Sequence, residues 1–145
     1  MTDKQSQDQA AIADIFARWA EANRTKDINA IIALYSEDIC SYDAVGPLQF
    51  NGITEYRAHW EKCLPKDAEM VVEMQTPVIR VSGHLGVARF LIRCGMRQED
   101  GTEQASWMRA SYHLEKQANQ WRIAHEHFSV PFDFDNGAAQ FGLEP

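Results

Sequence analysis

The sequence predicts a single α+β domain, with helices packed on one face of a curved antiparallel sheet. Two observations carry this expectation. Apolar residues recur at helical spacing through residues 1–66, and strand-forming runs joined by turn signals fill residues 69–130. A chain of 145 residues is long enough to bury one core without disulfides or metals. The domain spans residues 1–145, and residues 133–145 form a tail.

In chain order, Ile12, Ile15, Phe16 and Trp19 define the buried stripe of a first helix, with Arg18, Glu21 and Arg24 outside it. Asp27 is an N-cap for a short second helix that buries Ile28, Ile31, Ile32 and Tyr35. A strand over residues 39–43 ends in the turn Gly46-Pro47. Asn51-Gly52 then opens a third helix carrying Ile53, Tyr56 and Trp60. Residues 69–81 read as one strand, closed by Ser82-Gly83. Strands over 85–97, 102–116 and 121–130 follow, joined by Glu99-Asp100-Gly101 and Gln117-Ala118-Asn119. The order is α-α-β-α-β-β-β-β. Phe134 and Phe141 suggest that the tail docks on a surface.

A formal net charge of −7 argues against nucleic acid and anionic membrane surfaces as partners. Three widely spaced cysteines, with no C-x-x-C pair, read as reduced thiols, and the N-terminal residues do not look like a signal peptide; both point to the cytoplasm. No Gly-x-Gly-x-x-Gly or phosphate loop occurs, so no nucleotide cofactor is expected. Nor is there a Gly-x-Ser-x-Gly elbow for nucleophilic catalysis.

The last strand, Trp121-Arg-Ile-Ala-His-Glu-His-Phe-Ser-Val-Pro-Phe132, is the most telling. Glu126 on a half-buried strand needs a partner, because an isolated buried charge is costly. Strand alternation puts Trp107, Arg109, Ser111 and His113 on one side and Met108, Ala110, Tyr112 and Leu114 on the other. A hairpin turning at 117–119 sets Ser111 opposite Glu126 and Arg109 opposite Phe128. Arg109 then lies diagonal to Glu126, inside a polar hollow. The remaining face, with Met108, Tyr112, Leu114, Ile123, His125 and His127, is expected to meet a second copy. The two histidines could also suggest a metal, but three or four ligands are needed and His113 falls on the other side, so no metal site is assigned.

Arg109-x-Ser111 with Trp121-x-Ile-x-His125-Glu126-His127-x-Ser129-x-Pro131-Phe132 resembles the SnoaL-like, ketosteroid-isomerase-like branch of the nuclear transport factor 2-like superfamily. It is also similar to the association domain of calcium/calmodulin-dependent protein kinase II. Leu34-Tyr-Ser-Glu-Asp38, Ser41-Tyr-Asp-Ala-Val-Gly46 and Gly52 agree with the same pattern. The resemblance implies a cone-shaped α+β barrel with a cavity between helices and sheet, and homodimers through the outer sheet face.

By that resemblance Asp43 falls where a ketosteroid isomerase keeps its proton-shuttling carboxylate; alternatively it caps the turn before Gly46. Trp19 and Ser111 align with the oxyanion donors, and neither matches the acidity of the original pair. The expected ligand-contacting set is Trp19, Tyr42, Trp60, Trp107, Arg109, Ser111, Glu126 and Phe128. The expected ligand is a small, largely apolar molecule. Two readings stay open. One is a cofactor-free isomerase or dehydratase with Asp43 as general base. The other is a non-catalytic binding or oligomerisation module whose cavity is sealed by an Arg109–Glu126 pair.

Overall fold

The structure is a computed structural model describing residues 1–145. Helix α1 (Asp3–Arg24) begins at a capping box, in which the Thr2 side chain accepts from the Gln5 backbone and Gln5 reaches back. Helix α2 (Ile28–Ile32) is capped by the Asp27 side chain, which accepts from Ala30 N. Strand β1 (Tyr35–Tyr42) follows, then β2 (Phe50–Asn51) and α3 (Ile53–Cys63). The remaining strands are β3 (Glu69–Met74), β4 (Val78–Ser82), β5 (Leu85–Arg97), β6 (Glu103–Gln117) and β7 (Gln120–Ser129).

This is the expected α+β order with three refinements, the first being the two-residue strand β2 ahead of α3. Tyr35 opens a strand instead of closing a helix, and the run 69–81 breaks at Gln75-Thr76-Pro77 into two strands. Proline has no N–H for a ladder, so the chain leaves the sheet there. Both pieces return to β5, β3 along its second half and β4 along its first. The sheet runs β2-β1-β7-β6-β5-β3, antiparallel except for the parallel pair β1–β7. All three helices lie between β1 and β3 in chain order, or before them, and they cover the concave face.

The core forms where the α1 stripe meets that face. Ile12, Ile15, Phe16 and Trp19 are all at most 2% exposed. Phe16 packs against Phe90 at 5.0 Å and Tyr112 at 4.7 Å between ring centroids. Lys116 and the Trp121 indole both donate to Asp8 on α1, at 2.8 and 2.9 Å, tying the helix to the β6–β7 hairpin.

The β6–β7 register decides which residues face the interior. The hairpin turns on Ala118-Asn119, both with positive φ as a two-residue turn requires. From Gln117↔Gln120 to Leu114↔Ile123 the pairing is the one expected from the sequence. A bulge at Ala124 then adds one residue to β7, so that Tyr112 pairs with Glu126, Ser111 with His127 and Arg109 with Ser129. A one-residue shift turns every later side chain over. Trp121, Ile123, Glu126 and Phe128 therefore all point inward, beside Met108, Ala110, Tyr112 and Leu114.

Several expected placements are corrected by this bulge. Met108, Tyr112, Leu114 and Ile123 belong to the interior and not to the outer face: Tyr112 is 3% exposed, Leu114 and Ile123 fully buried. Trp107, Arg109 and Ser111 share the outer face. His125 and His127 lie outside as expected, with the Tyr42 ring edge-on to both at 4.8 and 5.6 Å.

Candidate functional site

Beneath α1 and α3 the concave face leaves a pocket of about 310 Å³. Its walls are mostly apolar: Trp19 from α1, Trp60 from α3, Met70, Met96, Met108 and Phe128 from the sheet. Gly95 lets the far wall close. A Cβ built there would sit 1.9 Å from the Gln104 carbonyl oxygen, so only glycine permits this approach of β5 and β6.

Asp43, just past the end of β1, lines the pocket together with Ala44 and Val45. Its Oδ2 lies 2.8 Å from His59 Nε2, and its Oδ1 accepts from Val45 N at 3.4 Å. A carboxylate only accepts, so the imidazole proton of this pair sits on Nε2. His59 is fixed by aromatic neighbours, with Phe50 at 4.2 Å and Tyr56 at 5.8 Å. The two side chains are 18% and 10% exposed, which leaves the carboxylate partly desolvated and still reachable.

Cys63, one turn after His59, has its Sγ 3.6 Å from the same Nε2. That nitrogen already serves Asp43. Burial, followed by the charge of Asp43, raises the Cys63 thiol, and burial pushes the Cys94 thiol up to about 12. Neither sulfur is set up as a thiolate nucleophile. No group of three or more His, Cys, Asp or Glu side chains is arranged to hold a metal ion.

Behind the pocket, Glu126 is completely buried but not paired with arginine. Its Oε1 accepts from the Tyr56 and Ser41 hydroxyls and its Oε2 from Tyr35 at 2.9 Å. The parallel β1–β7 register places Ser41 directly beside Glu126. Trp19 extends the chain, donating its indole N–H to the Tyr35 oxygen at 2.9 Å. Burial is the dominant influence on Glu126 and lifts its pKa to about 8; hydrogen bonds from Tyr56 and Tyr35 pull the other way, and the charge of Asp43 adds to the rise. Raised this far, the carboxyl takes up a proton well above the usual carboxylate range, and in that form one oxygen donates to a neighbouring hydroxyl oxygen instead of only accepting.

The structure thus brings Asp43, Trp19, Trp60 and Phe128 to one pocket, with Glu126 behind it. Tyr42 is 39% exposed and lies edge-on to the outer histidines, away from the pocket. Arg109 donates to Ser129 Oγ on the outer face, so the expected Arg109–Glu126 diagonal does not exist. Sequence reasoning missed His59, whose i,i+4 spacing with Cys63 and i,i+3 spacing with Tyr56 put all three on one side of α3. It also missed the tyrosine cage of Glu126.

An open, curved sheet lined by helices, not a closed barrel, with an acid at the pocket rim, is the α+β architecture of the nuclear transport factor 2-like fold. Residues 12–133 match the SnoaL-like domain model, and the chain belongs to that family. A nuclear transport factor 2-like protein of unknown function from Pseudomonas putida KT2440 is 38% identical, with a TM-score of 0.89 over 97% of this chain and 98% of that one. A nuclear transport factor 2-like superfamily protein from Salmonella enterica is 21% identical (TM-score 0.77; 93% and 99% covered). The association domain of the Caenorhabditis elegans calcium/calmodulin-dependent kinase is 15% identical (TM-score 0.72; 89% and 100% covered). No curated protein matches the chain. No helix is long and apolar enough to cross a membrane.

Proposed function

We propose that the protein binds a small, largely apolar molecule bearing an oxygen function and moves a proton on it without a cofactor, as an isomerase or dehydratase does. The observation that carries this reading is Asp43: a carboxylate oriented by His59 at the rim of an apolar pocket. Asp43 would accept a proton from carbon next to a carbonyl, becoming a neutral acid, and return it at a second carbon or to a departing hydroxyl. His59 acts as a positioning residue through its N–H to Oδ2.

The developing oxyanion needs a donor. Trp19 is committed to Tyr35, and Arg109 and Ser111 are outside. Trp60, which lines the pocket, has a buried indole N–H with no partner, and Tyr112 in the adjoining core has a buried hydroxyl with none. Unpaired buried donors cost about 1–3 kcal/mol each. An oxygen atom of the ligand would relieve the one at Trp60. Trp19, Trp60 and Phe128 supply the apolar contacts.

The test is deuterium exchange from D2O into a panel of cyclic ketones and enones, followed by NMR. Asp43→Asn should cut exchange by about 10²-fold or more while the melting temperature stays within a few degrees. Equal exchange by the variant would exclude Asp43 as the base.

The association-domain likeness supports a second element, a homodimer through the outer sheet face. Leu85 and Val87 on that face are each 53% exposed, and His113 of β6 stands between Val87 and His125 of β7. The three unpaired cysteines fit a reducing, cytoplasmic setting.

A further inference from the structure

On the outer face, β4 and β6 flank a groove of about 410 Å³ over β5, lined by Thr76, Val78, Arg89, Leu91, Arg109 and Ser111 among others. Arg89 pairs with Ser111 and Leu91 with Arg109, so the two arginines lie diagonally across adjacent strands. Farther along β5, Arg93 and Arg97 are neutralised by Glu73, Glu103 and Glu69. Arg89 makes no ion pair, and Arg109 bonds only to the Ser129 hydroxyl. Two unneutralised guanidinium groups thus share one partly apolar groove, on a chain whose net charge is −7.

The complementary feature lies after β7. Residues 131–140 fold into a closed turn: Asp133 N donates to Ala138 O, Gly137 N to Asp133 O, and Gln140 N to Pro131 O. The Asp133 carboxylate accepts from Asp135 N and Asn136 N. This backbone order holds an aromatic in water. Phe134 is 94% exposed and Phe132 67%. Asp135, next to Phe134, has no side-chain partner. An aromatic and an acid are presented on a rigid knob, and a preorganised element loses little entropy on docking.

We propose that the Phe134-Asp135 knob of one copy docks into the Arg89–Arg109 groove of a second copy. Asp135 would meet the two guanidinium groups and Phe134 the apolar floor at Val78 and Leu91. Charge complementarity selects this occupant: the tail carries Asp133, Asp135 and Glu144 and no Lys or Arg, and the groove carries the two free arginines. In a two-fold dimer the exchange is reciprocal, so each contact occurs twice. The inference rests on the sheet-face dimer proposed above and adds a segment to it.

The experiment pairs sedimentation velocity of the full chain with fluorescence anisotropy of a labelled 131–145 peptide on a chain ending at Ser129. Circular dichroism checks that each variant is folded. Phe134→Ser, Arg89→Glu with Arg109→Glu, and tail removal should each weaken dimerisation at least about tenfold. The peptide should bind the truncated protein and lose at least about tenfold on the charge-reversed one. Unchanged dimer affinity after tail removal overturns the inference. So does equal binding of a scrambled acidic peptide, which would make the groove a general anion site. A dimer insensitive to the tail but broken by Val87→Glu leaves the sheet-face reading standing and removes the tail from it. A monomeric full-length chain removes both.

Discussion

Replacing Glu126 by glutamine should remove one pH dependence of stability. The native state holds the Glu126 proton up to about pH 8, whereas an exposed glutamate releases it near 4.5. The folded pKa is raised above the unfolded value, so the contribution to stability is complete below pH 4.5. It is lost as pH rises towards 8, because between those limits the native state binds the extra proton. The whole displacement, at 1.36 kcal/mol per pH unit, corresponds to about 5 kcal/mol. About 3–4 kcal/mol of it falls between pH 5 and pH 8. Glutamine keeps an oxygen to accept from Tyr56 and Ser41 but carries no titrating proton. Urea denaturation of both proteins from pH 5 to 9 measures the effect. The stability of wild type minus that of Glu126→Gln should fall by about 3–4 kcal/mol from pH 5 to 8 and level off above. A difference flat to within about 1 kcal/mol would mean that Glu126 holds no extra proton in the folded state.

Two more perturbations probe the sheet. Tyr112→Glu puts a charge among Phe16, Phe90 and Phe128, so it should abolish folding by circular dichroism; a folded monomer would contradict the inward placement. Deleting Ala124 removes the bulge yet leaves His125 opposite His113 and Glu126 opposite Tyr112, so Glu126 and Phe128 stay inward and the variant should still fold, losing no more than about 3 kcal/mol in urea denaturation; an unfolded chain would contradict the assigned register.

The sequence made the architecture legible because its signals were local. Ile12, Ile15, Phe16 and Trp19 declared one helix face, and Ala118-Asn119 fixed a hairpin whose first four pairs came out as read. The site was less legible because it depends on a single added residue. Alternation carried past Ala124 sends Arg109 inward and Tyr112 outward, the reverse of what is found. One clue was present: Trp121 and Ile123 are in phase with each other, and Phe128 is out of phase with both. An apolar face that slips by one residue marks a bulge. Asp43 is singled out through the family resemblance of Tyr42-Asp43-Ala44-Val45-Gly46, since the local sequence alone also fits a turn cap. His59 could not be read, since only the packing of α3 beside that turn brings the two within 2.8 Å. The cage around Glu126 draws Tyr35, Ser41 and Tyr56 from three elements, which no spacing rule connects.

The proposed function requires the pocket under Trp19 and Trp60 to hold a small molecule. Native mass spectrometry of protein purified from its own host tests that directly, alongside a Met108→Trp variant that fills the space. Wild type should carry a single organic species at up to one per subunit, and the filled variant should carry none. Wild type without any retained molecule, or the same molecule on both proteins, would contradict it.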